Sequence, residues 1–145
     1  MKIGSLWEGQ APRLLSLLRI AAAVMFLFIG TMKLFAFPKA LFPNGGTVQL
    51  FSEIGLAGVL EAFGGLFLLL GLFTRPAAFL LSGEMAVAYF QAHFPQGFWP
   101  FLNGGQPAVL YCFIWLYVSA AGGGPWSLDA LLKKHHATVT TGEQL

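Results

Sequence analysis

Five ionisable side chains interrupt long apolar segments of this sequence: Arg19, Lys33, Glu61, Glu84 and His93. A charge within hydrocarbon costs about 2.5 to 3.5 kcal/mol on insertion scales, so such a residue usually has a partner or a function. A buried carboxylate can bind and release a proton, and a histidine can relay one. These residue types indicate proton handling, or recognition of a polar head group, inside a membrane.

The composition favours a membrane protein. The chain has 145 residues, of which 57% are hydrophobic and only 10% are charged. Soluble domains carry about 25% charged residues, so the lipid bilayer is the expected environment. A net charge of +2 without a basic face argues against a nucleic-acid partner. The length is typical of one domain, covering residues 1–145.

Four apolar runs must position the charged residues. They cover about residues 14–35, 54–73, 77–94 and 105–121. Each is close to the ~20 residues with which a helix crosses ~30 Å of hydrocarbon. The runs lack the period of two that a membrane strand would show. The predicted fold class is therefore all-α, an integral membrane four-helix bundle, followed by a polar cytoplasmic tail at 127–145.

The loops and the basic residues predict a topology. Asn-Gly-Gly begins at Asn44 in the first long loop and at Asn103 in the second, which indicates two helix–loop–helix halves. One side carries most of the basic residues: Lys2, Arg13, Arg75, Lys133 and Lys134. The other side has Lys39, with Lys33 near its edge. By the positive-inside rule both termini are cytoplasmic, and Trp7, Trp99 and Trp126 are expected at the membrane interfaces.

The depths of the charges predict which of them pair. At ~1.5 Å per residue, Arg19 and Glu84 lie ~10 and ~14 Å from the cytoplasmic side, and Glu61 lies ~20 Å from it. Arg19 with Glu84 is the best-matched pair, while Glu61 could reach Arg19 or Lys33. Two structural alternatives remain open: the pairs only fix helix register, and Lys33 extends its amine to the interface.

These considerations yield a set of candidate site residues. Glu61 is the strongest candidate for a proton carrier, with Arg19 and His93 as its catalytic companions. The candidate binding residues are Lys33, Glu84, Gln91, Asn103 and Gln106. No metal-ligand cluster is visible, and one histidine within the spans cannot supply both axial ligands of a haem. Cys112 is expected to be a small buried core residue.

Several short motifs, taken together in their order, resemble the DoxX family. After Arg19 they are Gly-Thr-Met-Lys33-Leu, Glu61-Ala-Phe-Gly-Gly, Gly-Leu-Phe-Thr-Arg75-Pro, Asn103-Gly-Gly and Gly-Pro-Trp-Ser-Leu-Asp129. The resemblance runs from about Leu14 to Asp129. It implies a small, four-helix protein of the bacterial inner membrane. Where the family usually has a carboxylate after Asn-Gly-Gly, this chain has Gln106.

Two functions follow from the residues and the resemblance. Some members of the resembled family are subunits of a thiosulfate:quinone oxidoreductase, and others belong to oxidative-stress or sulfur-redox assemblies. The first hypothesis is thus a quinone-associated redox subunit, with quinone as its possible cofactor and no redox centre of its own. It would need a membrane or peripheral redox partner, or a second copy of itself. The alternative is a non-enzymatic scaffold, assembly factor or small-solute conduit, so the sequence leaves open whether the protein is an enzyme.

Overall fold

The computed structural model describes residues 9–43 and 45–142, with side chains through residue 137. Within that part of the chain there are five helices and no strands. They are α1 (Ala11–Phe35), α2 (Glu53–Leu70), α3 (Thr74–Ala88), α4 (Gln106–Ala121) and α5 (Leu128–Gly142). Three residues used in the sequence predictions, Lys2, Trp7 and Asn44, lie outside the described residues.

Two of the helices contain a wider, π-helical turn. In α2 this turn covers Leu60–Gly64, and a second one at Tyr89–His93 continues α3 before a short 3-10 turn at Phe94–Gln96. Such turns add a residue to the regular helix and are frequent at functional sites. They carry three of the predicted site residues, which are Glu61, Gln91 and His93.

The helices pack mainly in pairs. α1 lies along α2 and α3 lies along α4, while fewer contacts join α2 to α3 and α1 to α4. Small residues of α2 allow the close approach of α1. A Cβ atom on Gly65 would lie only 3.0 Å from the backbone of Leu27, and one on Gly58 would lie 3.1 Å from the Cβ of Lys33. The first pair is therefore in near backbone contact where Glu61 meets Lys33.

Polar side chains face inward and many large apolar side chains face outward. The buried polar residues are Ser16, Arg19, Glu61, Thr74, Ser82, Asn103 and Ser127. Leu17, Leu66, Phe79 and Phe113, one on each of α1 to α4, are exposed. This arrangement is the reverse of a water-soluble bundle. By length and composition α1 and α2 are able to cross a membrane, and α4 is a shorter apolar helix.

The segment that the sequence analysis assigned to a polar tail is largely helical. α5 begins at Leu128, and the Ser127 hydroxyl accepts a hydrogen bond from the Ala130 N–H at 3.2 Å. The Asp129 N–H also donates to the Gly71 carbonyl at 2.9 Å, so the start of α5 is fixed against the turn between α2 and α3. The predicted polar tail thus includes a helix whose start is held in place by tertiary contacts.

Candidate functional site

Lys33 and Glu61 form an ion pair between α1 and α2. The Lys33 Nζ atom lies 2.8 Å from Oε1 and 2.7 Å from Oε2 of Glu61. The two side chains are only 14% and 3% exposed, respectively. The expectation that Lys33 extends to the interface is therefore wrong: a carboxylate on the neighbouring helix holds its amine inside the protein. Of the two partners that the sequence left open for Glu61, the structure selects Lys33.

Glu84 on α3 is a second buried carboxylate beside this pair. Neither of its carboxylate oxygens is accessible, and neither has a hydrogen-bond partner in the described part of the chain. Glu84 is within electrostatic reach of both Glu61 and Lys33. One lysine thus faces two carboxylates, and a buried charge is tolerated only when it is paired or neutralised. We call Lys33, Glu61 and Glu84 the carboxylate cluster. With both carboxylates ionised it carries one more negative than positive charge, which a further cation, a proton or a hydrogen-bond donor would stabilise.

A groove between α2 and α3 lies over Glu84. Its volume is about 550 Å³, and its walls are mostly apolar. Exposed residues such as Leu56, Phe79 and Val87 form its rim, so this lateral groove opens toward the surroundings of the helices. Gln91 and the exposed Glu53 are its other polar lining residues. An apolar cavity with a few convergent polar groups is the usual form of a small-molecule site.

Arg19 does not pair with Glu84 or with Glu61. Its guanidinium is fully buried and donates hydrogen bonds to four backbone carbonyls. The acceptors are Leu68, Leu69 at 2.8 Å, Gly123 at 2.9 Å and Trp126 at 2.5 Å. The prediction of an Arg19–Glu84 pair was wrong because counting residues gives depth along a helix but not the direction of a side chain.

The Arg19 network, meaning Arg19 and its four carbonyl acceptors, joins the end of α2 to the segment after α4. A cation beside the last carbonyls of a helix is favoured by the helix dipole. Ser16 supports the same segment, because its hydroxyl accepts a hydrogen bond from the Trp126 N–H at 3.2 Å. These contacts give Arg19 a positioning role in the fold rather than contact with the carboxylate cluster.

Asp129 caps the start of α3 from α5. Its Oδ1 and Oδ2 atoms each accept a hydrogen bond at 2.9 Å, from the N–H groups of Phe73 and Thr74. Burial alone would raise the pKa of Asp129, but these hydrogen bonds and the charge of Lys133 outweigh it and lower that pKa. Asp129 was not among the predicted site residues. Its position directly after Ser127-Leu128 is a helix-start signal that could have identified it.

The remaining candidates lie in or beside the loop between α3 and α4. His93 Nδ1 is 3.1 Å from the Asn103 carbonyl oxygen. The buried Asn103 side chain donates to the Gly97 carbonyl at 2.6 Å and accepts from the Gly105 N–H at 2.8 Å. Gln106 is exposed at the first turn of α4. The hydrogen bonds of His93 and Asn103 therefore shape this loop, and only Lys33, Glu61, Glu84 and Gln91 are grouped at the cluster and its groove.

The helical fold with inward charges and outward apolar residues defines an α-helical membrane protein. The family model DoxX matches residues 14–94 of this chain. A protein of Haemophilus influenzae named only as uncharacterized is 44% identical over 125 residues, which are 84% of this chain and 92% of that relative. No solved structure matches the chain. The chain belongs to the DoxX family, as its motifs indicated.

Proposed function

We propose that this protein is a multi-pass subunit of a quinone-associated redox or oxidative-stress complex in the bacterial inner membrane. Its carboxylate cluster handles a proton, or holds a polar head group, beside the lateral groove. The observation that carries this proposal is the Glu84 carboxylate, which is buried next to an ion pair and beneath an apolar groove and has no hydrogen-bond partner among the described residues. A group that brings a proton or a donor to Glu84 would complete its interactions.

The proposed topology is a four-helix membrane bundle. α1 has 25 residues and is about 37 Å long, which is enough to cross the hydrocarbon core. In this proposal α2, α3 with its π-helical continuation, and α4 are the other spans. Arg13, Arg75 and Lys133 would lie on one side of the membrane, and Lys39 on the other. The positive-inside rule then assigns the start of α1 and α5 to the cytoplasm.

The lateral groove has the size and chemistry for a quinone head group. Its volume of about 550 Å³ lies within the range of small-molecule sites, and its apolar walls suit a ligand that enters from the bilayer. A bound quinone would accept two electrons and two protons. The Glu84 carboxylate, whose oxygens are not accessible in this structure, would turn toward the groove to donate or accept the hydrogen bond at the head group, and the Gln91 amide offers a neutral donor. Electrons would come from a partner protein, because this chain is proposed to have no redox centre of its own.

Glu61 would serve as the proton store of the cluster. Glu61 interacts with both other members of the cluster: it forms an ion pair with Lys33, and its charge acts on Glu84. A proton arriving at either carboxylate changes the charge that Lys33 must balance. Buried carboxylates that share one counter-charge are a common arrangement for proton transfer. His93 would reach this pair only through intervening groups, so it is a secondary candidate for proton entry.

The test is to identify small molecules bound to the protein and to its variants. Native mass spectrometry and lipid extraction of gently solubilised protein would measure bound quinone in wild type, E84Q and E53Q. Glu53 lines the same groove but is exposed, so E53Q is the matched control. Stoichiometric quinone in wild type and E53Q, with loss in E84Q, is the expected result. Equal quinone content in wild type and E84Q would exclude Glu84 as the head-group contact.

A scaffold or assembly role is the second candidate function. It is favoured by the Arg19 network, in which a buried charge serves the fold alone, and by the close contact of α1 with α2 at Gly65. The variant E61Q separates the two functions. Loss of redox activity in an intact complex supports the redox subunit, whereas loss of the complex itself supports the scaffold.

A further inference from the structure

We propose that the cytoplasmic end of the helices carries a binding site for a phosphate-bearing anion. The site is a pocket of about 470 Å³ between the turn that begins α3, the segment after α4, and the first two turns of α5. It is separate from the lateral groove, since no residue of the carboxylate cluster lines it. Its walls include Arg75, Lys133 and His136, which come from two different elements.

The orientation of Arg75 is the first observation that supports an anion site. Its Nη1 group is fixed by hydrogen bonds to the carbonyls of Ser119 at 3.3 Å and Ala120 at 2.6 Å. The opposite edge of the guanidinium faces Gly122, because a Cβ there would lie 3.6 Å from both Nε and Nη2. Gly122 lines the pocket. A guanidinium edge with two parallel N–H groups is the geometry that binds phosphate in a bidentate manner.

The balance of charge in the pocket is the second observation. Arg75 and Lys133 contribute two permanent positive charges, and Asp129 is the one carboxylate in the lining. Both oxygens of Asp129 already accept hydrogen bonds from backbone N–H groups at the start of α3. The lining therefore carries one net positive charge. The Thr74 hydroxyl belongs to the same wall and is fully buried beside Asp129.

The surroundings of the pocket favour the head group of an anionic phospholipid as the source of the phosphate. Phe73, Pro76 and Leu132 add apolar surface to the lining, and Phe73 and Leu132 are exposed. Acyl chains could follow this apolar surface while the phosphate contacts Arg75 and Lys133. Basic residues next to the end of a membrane span are the usual contacts of anionic head groups. A free phosphate-bearing solute presents the same charge without the acyl chains.

The test compares lipid retention by the full-length protein and by charge variants. Native mass spectrometry would count retained phosphatidylglycerol against phosphatidylcholine in wild type, R75Q, K133Q and the control K39Q. Lys39 is an exposed lysine in the other loop region, so K39Q removes the same charge elsewhere. We expect retention of phosphatidylglycerol to weaken about tenfold in R75Q and about fivefold in K133Q, with no change in K39Q.

A second arm distinguishes a lipid from a free anion. Protein in a neutral detergent would be heated with and without inorganic phosphate, and the shift of its aggregation temperature measured. Displacement of phosphatidylglycerol by inorganic phosphate, with a thermal shift lost in K133Q, would support the site with a free anion as its ligand. Equal retention of both lipids by every variant, with no effect of phosphate, would overturn the proposal. R75K keeps the charge without the bidentate edge, so it serves with K133Q if R75Q does not fold.

Discussion

Removal of Lys33 should destabilise the protein more than removal of either carboxylate that it faces. At an effective dielectric of about 20, unit charges 2.8 Å apart attract by about 6 kcal/mol, and much of this is offset by desolvation. Breaking a buried pair by deleting one partner costs about 3 to 5 kcal/mol. In K33M two buried carboxylates lose the one cation that acts on them among the described residues, so we expect a loss of unfolding free energy at the upper end of that range.

The two carboxylate variants should change the unfolding free energy less than K33M does, and each by a different amount. In E61Q the lysine keeps a second carboxylate within electrostatic reach, so we expect a loss of about 1 to 3 kcal/mol. In E84Q an unpartnered carboxylate is replaced by a neutral amide of similar shape. That change should leave the stability unchanged or raise it by about 1 kcal/mol. The expected order of cost is K33M, then E61Q, then E84Q.

The assay is unfolding in mixed micelles with increasing denaturing detergent, followed by the fluorescence of the tryptophans, among them the buried Trp115. The double variant K33M/E61Q completes a thermodynamic cycle, and its loss should be clearly smaller than the sum of the two single losses. K39M, at an exposed lysine, is the control and should unfold like wild type. Additive losses in the cycle, or E84Q as the most costly variant, would refute the electrostatic interpretation of the cluster.

Three further predictions concern the packing and the capping of the helices. R19Q should lower the unfolding free energy by about 3 to 5 kcal/mol in the same assay, because four backbone carbonyls lose a buried charged donor, and a stable R19Q would contradict this. D129N should cost about 1 kcal/mol at neutral pH. Since the pKa of Asp129 is lowered in the folded protein, wild type should exceed D129N in unfolding free energy by the full amount above about pH 4. This difference in unfolding free energy should vanish as the pH falls through the folded pKa. A difference that persists at lower pH would argue against the cap. Gly65→Ala should cost about 1 to 3 kcal/mol because its Cβ would press on the backbone of Leu27, whereas Gly83→Ala, with open space around it, should be neutral or stabilising; equal effects would rule out the close contact.

The amino-acid sequence was sufficient for the family, for the all-helical class and for the identity of the charged residues within the apolar runs. Hydrophobicity and its period are local properties, so the helices that carry Arg19, Glu61 and Glu84 could be predicted from the chain alone. The helix at 128–142 was not among the predicted elements, although Ser127 is a helix-start signal, and the contact that fixes its position comes from the distant turn at Gly71.

Only the tertiary structure decided which charges meet. Pairing depends on the rotation of each helix about its axis, and a small change in rotation carries a side chain to another neighbour. The π-helical turn at Leu60–Gly64 changes that rotation at Glu61 itself, and no residue pattern predicted it. Arg19 was expected to pair with a carboxylate and instead donates hydrogen bonds to backbone carbonyls. Every residue has a backbone carbonyl, so residue types do not show which carbonyls will accept these hydrogen bonds. Glu84 therefore has no hydrogen-bond partner in the part of the chain that the structure describes, and its carboxylate beneath the groove defines the candidate site.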